Sequence, residues 1–423
     1  MIKNRISTVS FSLILFVSLM LGCENGIKNV KDNQPKSFSK EAITDSTESS
    51  SNKNDIHVND KDLNQMESNK ENSIKNIDMN ELKSELEKIY NERSTALFSG
   101  DIASLNTLFD TSQKYGQLAL ENEIKRVKYL NDWSSERNIT FGRIGSSVSI
   151  KKVYPQDNIL KVNLHESYKF DYVYDKDINS PIDSFRIGIR HTTSLIKKNE
   201  KWVIYSDRYT DCFEDALHRY TNVVAKLPEK LSSVHNTNNN YQTVNYCKVF
   251  YDRQKAVDYA DKYCGAALET NNDLKYNKKY NDYNGRGGDC TNYISQVLAD
   301  KEGGGMPFGG TWTPGSKTWV NANSLKNYLI NSGKGTVINV GTFKELTKPS
   351  KTSAKGIIGN LQIGDLIAYE KGPNNIDHFA VITGFDSHGY PLVNSHTTDR
   401  YHVPWDLGWG DAKIRFFLIH ING

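Results

Sequence analysis

Cys290 is the residue through which this chain could carry out covalent chemistry. It stands in Gly285-Arg286-Gly287-Gly288-Asp289-Cys290-Thr291-Asn292-Tyr293-Ile294-Ser295-Gln296. The Gly pair permits unusual backbone angles and close approach of a substrate chain. Ile294, Val297 and Leu298 then recur at helical spacing, so Cys290 is expected at a helix N-terminus. There the macrodipole and the free amides favour a thiolate over a thiol, and the same amides can hold an oxyanion.

A nucleophilic cysteine needs a base. The candidate is His378, in the strand-like run Asp377-His378-Phe379-Ala380-Val381-Ile382-Thr383-Gly384 that follows the loop Gly372-Pro373-Asn374-Asn375. A hairpin follows, turning at Asp386-Ser387-His388-Gly389, with Tyr390 to Thr398 as the return strand. A residue of that strand could orient the imidazole as the third member of a Cys-His-polar set. Pairing Asp386 with Gly389 sets Thr397 opposite His378, and a shift of one residue sets His396 there. His396 is the first choice for the orienting group and Asn394 the second.

Gly-Gly-Asp-Cys-Thr-Asn-Tyr, followed far downstream by His-Phe-Ala-Val-Ile and by Asn-Ser-His-Thr-Thr-Asp-Arg, resembles the putative amidase domain family. That family is grouped with papain-like cell-wall amidases and peptidases, including NlpC-type and CHAP-type enzymes. Tyr251-Asp252-Arg253 with Ala256 and Tyr259-Ala260, and the region of Trp312 and Trp319, match the same layout. The resemblance spans roughly residues 248–422. It implies Cys290 as nucleophile, His378 as general base, and His396 or Asn394 as third residue, with no metal or organic cofactor. In NlpC- and CHAP-type domains a turn like Gly364-Asp365 precedes the strand that leads to the catalytic His. Asp365 is assigned a structural role as a turn carboxylate bonding backbone amides.

Other readings of these residues are plain packing or a metal. A free Cys is often a small buried apolar residue, and a strand His is often simply hydrogen-bonded. A zinc site of Cys290, His378 and His396 has suitable ligand types, but a helix start serves a nucleophile better than a closed metal site. Cys247 and Cys264 are either a disulfide or two helix-face residues. At the level of activity the alternatives are a non-catalytic cell-wall binding lipoprotein, or a protease or acyltransferase using the same Cys-His pair.

The elements that must position these groups begin after a targeting segment. Lys3 and Arg5 precede an apolar run, Val9 to Leu21, too short for a membrane span of about 20 residues and laid out as a secretory signal. Its end, Leu19-Met20-Leu21-Gly22-Cys23, resembles a bacterial lipoprotein signal, which implies lipidation of Cys23 and an extracytoplasmic, membrane-anchored protein. An ordinary signal cut elsewhere would give a secreted one. Residues 24–78 are rich in Asn, Lys, Ser, Asp and Glu, without Trp or Tyr. They read as a disordered tether.

Residues 79–226 form a first folded unit. Leu82, Leu86, Ile89 and Tyr90 predict a helix over 79–98, Gly100-Asp101 ends it and starts another, and Tyr115 to Trp133 predict one more. The period then becomes two, at Leu160, Val162 and Leu164, at Tyr168, Phe170, Tyr172 and Tyr174, and at Phe185, Ile187 and Ile189. Lys198-Asn199-Glu200 reads as a hairpin turn. This order of elements resembles the cone-shaped nuclear-transport-factor-like fold. No catalytic constellation is visible in it, and His165 and His191 are expected to be hydrogen-bonded strand side chains. Residues 227–243 are a linker and 244–423 the second unit, which opens with a helix striped by Ala256, Val257, Ala260 and Tyr263. The fold class is thus α+β: N-terminal helices plus a curved, cone-like antiparallel sheet, then a papain-like α+β domain with its Cys on a helix N-terminus and its His on an antiparallel sheet.

The chain has 423 residues, 53 Lys+Arg against 50 Asp+Glu, and a formal charge of +3. Near-neutrality at this length argues against a dedicated nucleic-acid binder. The expected partners are a peptidoglycan or peptide substrate and, through the lipid, a membrane.

Overall fold

The computed structural model describes residues 78–177, 179–220, 250–270, 273–351, 353–409 and 414–423. The signal segment with Cys23, the tether apart from Asp78, the linker, and Cys247 beyond it lie outside the described residues. No described helix is long and apolar enough to cross a membrane.

The N-terminal segment starts with three helices, α1 (Met79–Ser99), α2 (Ile102–Leu105) and α3 (Lys114–Arg137). The Asp78 carboxylate caps the start of α1 by accepting from Asn80 N, and Gly100 ends it at φ 74°, a left-handed angle that suits glycine. Asp101 accepts from the amides of Ala103 and Ser104 and starts α2. Four strands follow: β1 (Ile139–Gln156), β2 (Ile159–Tyr174), β3 (Asp183–Lys198) and β4 (Lys201–Tyr209). Asn199 and Glu200 both take positive φ in the β3–β4 turn, the geometry that a two-residue hairpin loop requires. A short helix, α4 (Glu214–Leu217), closes the segment.

The C-terminal segment contains α5 (Arg253–Lys262), the small ribbon β5 (Gly265–Thr270) with β6 (Asp273–Lys275), α6 (Cys290–Ala299), α7 (Lys317–Val320) and α8 (Ala322–Asn331). Then come β7 (Gly335–Gly341), α9 (Phe343–Leu346), β8 (Leu366–Gly372), β9 (Asn375–Phe385), β10 (Pro391–Ser395), β11 (Asp399–Pro404) and β12 (Arg415–Ile421). The architecture is α+β around a large antiparallel sheet.

That sheet is continuous through both segments. Its order is β1-β2-β3-β11-β10-β9-β8-β12-β7, with β4 also on β3. The junction is the pairing of Asp399, Arg400 and Tyr401 on β11 with Gly188, Ile187 and Arg186 on β3. Gly188 is required there: a Cβ would lie 2.3 Å from Ala267 N on the crossing ribbon. Asp399 is buried and accepts from Ala266 N at 2.7 Å and from Arg190 at 3.1 Å.

Three apolar clusters fill the molecule. The first gathers α1, α3 and β1–β4, and also takes in Val403 and Leu407 from the C-terminal segment. The second lies between α5, α6, α8 and one face of β8, β9 and β12, including Phe379 and Val381. The third lies on the other face, with Tyr369, Ala380, Ile382, Trp405 and Trp409. Successive residues of β9 thus serve opposite cores, as a pleated strand demands.

Candidate active site

Cys290 is the first residue of α6, and helical spacing after the Gly pair is what locates it there. Gly287 and Gly288 take φ of 100° and 106° on the approach. The amides of Asp289 and Cys290 both donate to Thr397 Oγ1, at 2.9 and 3.2 Å. Thr397 is held at φ 87°, an uncommon angle for a β-branched residue.

The cysteine sulfur lies against β9. Sγ is 4.0 Å from the Asp377 carbonyl oxygen and 3.7 Å from Thr291 Oγ1, and the Phe379 amide is near enough to favour the thiolate. These groups flank His378 on the strand. The expected thiolate is not what this environment favours. Burial pushes the thiol up, and the hydrogen bonds from Thr291 and Phe379 offset only part of that. Loss of hydration outweighs the helix-end dipole because Cys290 is 7 % exposed.

His378 lies on β9 at the register position of Tyr369 on β8. Its ring packs beside Tyr369 at 5.5 Å and Trp409 at 5.2 Å between centroids, on the side of the third core. It is buried, and its Nε2 has no hydrogen-bond partner. Burial holds the imidazole well below the usual histidine range, and the charges of Arg400 and Lys371 and the nearby His396 add to this. No hydrogen bond joins it to Cys290. The strand brings the two residues together, while the side-chain direction parts them.

Neither candidate for the third residue touches His378. His396 is bonded at both ring nitrogens, Nδ1 to Asp289 Oδ2 at 2.6 Å and Nε2 to the Tyr263 carbonyl at 2.7 Å. Both partners are acceptors, so the ring is an imidazolium. Burial works against that form, but the Asp289 hydrogen bond and carboxylate outweigh it and raise its pKa. The ring also stacks on Tyr293 at 3.9 Å. Asn394 is fully buried, and its Oδ1 accepts from Thr383 Oγ1 at 3.0 Å and His402 N at 2.8 Å. Its Nδ2 donates to Asp261 at 2.8 Å. Beside the turn Pro391 faces Phe385, but a bulge at Thr383 moves the ladder so that Asn394 faces Val381. That shift brings it into the register that extrapolates Thr397 toward His378.

Other groups complete the picture. The Asp289 carboxylate also accepts from Tyr283 N at 2.9 Å and Asn292 Nδ2 at 2.8 Å, which fixes the Gly-rich loop. Asp365 accepts from Gln362 N and Ile421 N, both at 3.1 Å, and from Arg253 at 2.8 Å. The Cys264 thiol donates to the Arg400 carbonyl at 2.8 Å. Trp312, Trp319 and Trp405 are all fully buried. Among the described residues no group of three His, Cys, Asp or Glu could hold a metal ion.

The N-terminal segment contains a buried ionic network that sequence reading missed. Arg93 binds Glu123 at 2.9 Å and Asp207 at 3.4 Å, and Arg126 binds Glu123 at 3.2 Å. His191 bridges Glu166 at 3.1 Å and Asp207 at 3.0 Å. The only sequence signal is charged residues set among apolar helical and strand positions, which does not reveal their mutual contact.

Residues 250–419 match the family described as the putative amidase domain. Two curated relatives from Bacillus subtilis (strain 168) are similar to this chain. The uncharacterised protein YhbB is 30 % identical over 186 residues, 40 % of this chain and 50 % of that protein. The uncharacterised protein YjcM is 29 % identical over 176 residues, 40 % of this chain and 36 % of that protein. The chain thus spans half the length or less of these relatives. Among solved structures, the intermembrane space region of the chloroplast protein ARC6 matches 32 % of this chain and 97 % of that one, at 11 % identity and a TM-score of 0.22.

Proposed function

We propose that the protein is a cysteine-dependent amide hydrolase in which Cys290 is the nucleophile and His378 the general base. The observation that carries the reading is the seat of Cys290 at the start of α6, its sulfur against the backbone on either side of His378. The match of residues 250–419 to an amidase family supports the same chemistry.

The raised thiol and the depressed imidazole make the resting pair neutral. The base therefore acts during attack. The imidazole turns from Trp409 toward Sγ and takes the thiol proton as sulfur bonds to the amide carbonyl carbon. The carbonyl oxygen gains the negative charge and is held by amides at the helix start, which release Thr397 Oγ1. The imidazolium then protonates the leaving amine as the C–N bond breaks, leaving a thioester on Cys290. Water, deprotonated by His378, attacks the thioester carbonyl; the C–S bond breaks, the imidazolium returns its proton to Sγ, and a carboxylic acid leaves. Papain-like chemistry of this kind needs no cofactor.

The signal-like segment ending at Cys23 supports a lipid-anchored, extracytoplasmic location, and with it peptidoglycan stem peptides, or their amide link to sugar, as the substrate class. The test is release of new amino groups from purified peptidoglycan by the full chain, compared with Cys290→Ala and His378→Ala. Activity that survives Cys290→Ala overturns the mechanism. The lack of a Cys290–His378 hydrogen bond favours one second reading, a wall-binding lipoprotein that does not cut. In that case wild type retains peptidoglycan in a sedimentation assay but releases no amine.

A further inference from the structure

The N-terminal segment grips one turn of the C-terminal segment, residues 405–409, from several sides. Tyr129 Oη accepts from Gly408 N at 2.6 Å, and Trp133 Nε1 donates to Asp406 at 3.0 Å. Arg137 forms an ion pair with the same carboxylate. Ala216 N donates to the Gly408 carbonyl at 3.2 Å. Arg400 joins the two sides, donating to the Leu407 carbonyl at 2.6 Å and the Cys212 carbonyl at 2.8 Å. Leu407 is buried in the N-terminal core, whereas Trp405 and Trp409 belong to the core beside β8 and β9. Gly408 takes φ 89°, and a Cβ there would lie 2.2 Å from the Cys212 carbonyl oxygen. The turn therefore has little freedom: one side chain is anchored in the first core while its neighbours two residues away pack in the other.

Trp409 carries this grip to the candidate site. Its ring stacks on Tyr369 at 4.3 Å and lies 5.2 Å from the His378 ring. We infer that the N-terminal segment is a positioning element for His378, because its hold on residues 405–409 fixes the ring that covers the imidazole and so sets whether His378 can turn toward Cys290. The inference rests on the Cys290–His378 reading for its functional meaning. Its structural content does not depend on that reading. The charged groups facing His378 are Arg400 on β11, Lys371 on β8 and His396 after β10, and Lys371 is itself held by Asp215 of α4 at 3.0 Å and by Asp377 at 2.8 Å. Tyr129, Trp133, Arg137 and Leu407 are positioning residues, since none of them touches Cys290 or His378.

The test is an NMR titration of the His378 ring in the full chain with isotope-labelled histidine, the signal being assigned by its loss in His378→Ala. Tyr129→Phe, Trp133→Phe and Leu407→Ala should let water reach the imidazole, raising its pKa by about 1 or more toward the ordinary value. Tyr220→Phe is the control. It removes a 2.6 Å hydrogen bond to Asp132 in the same segment, one that involves no atom of residues 405–409, and should leave the titration unchanged. The same shifts are expected in a Cys290→Ala background, so a chain that cleaves no amide can still support the inference. An unchanged His378 titration in all three folded variants overturns it, as does an equal shift in Tyr220→Phe. Should Leu407→Ala fail to fold, the two aromatic-to-Phe changes give the answer alone.

Discussion

Replacing His396 with Ala should cost more than any other single change near the candidate nucleophile. The ring satisfies the Asp289 carboxylate at 2.6 Å and the Tyr263 carbonyl at 2.7 Å, and both sides of the ion pair are almost wholly buried. Removing one partner of a buried ion pair costs about 3–5 kcal/mol, because the other charge is stranded. With a urea slope of about 2–3 kcal/mol per molar for a chain of this size, the midpoint should fall by about 1 M or more. The penalty should depend on pH. The folded-state pKa of His396 is raised, with burial opposing and Asp289 prevailing. A group raised in this way contributes stability that is fully present below its unfolded pKa of about 6.5 and is lost as pH rises through the folded value. The assay is urea unfolding of wild type and His396→Ala at a series of pH values from 5.5 upward, followed by tryptophan fluorescence. A penalty below about 1 kcal/mol at pH 6, or one that does not shrink as pH rises, would falsify the imidazolium assignment.

Three further outcomes are expected. Iodoacetamide should alkylate Cys290 slowly at neutral pH, with the rate climbing only above the ordinary thiol value of about 8.5, since burial raises this thiol; fast modification at pH 6 by mass spectrometry would contradict that. His191→Gln should destabilise the N-terminal segment by about 1.5–3 kcal/mol, because it removes the charged donor between Glu166 and Asp207 and leaves them to Arg93. The loss should be largest below about pH 6.5 and shrink on raising the pH, since the folded pKa of His191 is raised, and a pH-independent difference in melting would rule this out. Asp365→Ala should cost about 3 kcal/mol or more by taking the carboxylate from Arg253 and leaving two backbone amides unpaired, with no effect on the Cys290 alkylation profile; an altered profile would mean that Asp365 acts on the site.

The parts of the fold that could be read from the sequence are those set by local periodicity. The helices at 79–99 and 114–137 and the strands β2 and β3 follow from apolar spacing that the burial of Leu86, Tyr90, Leu130, Val162 and Phe170 explains. β1 does not show itself this way. Register shifts near Phe141 and Ile150 break its alternation, so its buried positions obey no single period. The junction of β3 with β11 is equally silent, because it joins distant residues through three pairs and its one local sign is a strand glycine, Gly188.

The candidate site divides along the same line. A helix onset after Gly-Gly located Cys290, and strand patterning located His378. Which way His378 faces depends on a bulge near Asp377 between Ile376 and His378, which no pattern in the sequence announces. The role of His396 needed knowledge that Asp289 and Tyr263 converge on it from elsewhere in the chain. Thr397, at a backbone angle its residue type disfavours, was visible only once the structure placed its hydroxyl on the amides of the helix start.

The most direct measurement is acid-quench mass spectrometry of the full chain turning over a peptidoglycan-derived amide. The expected result is an acyl adduct on the peptide that contains Cys290, formed in wild type, absent in Cys290→Ala, and strongly slowed in His378→Ala. Amide turnover at the wild-type rate in Cys290→Ala, with no adduct on any form, would contradict thiol catalysis at this site.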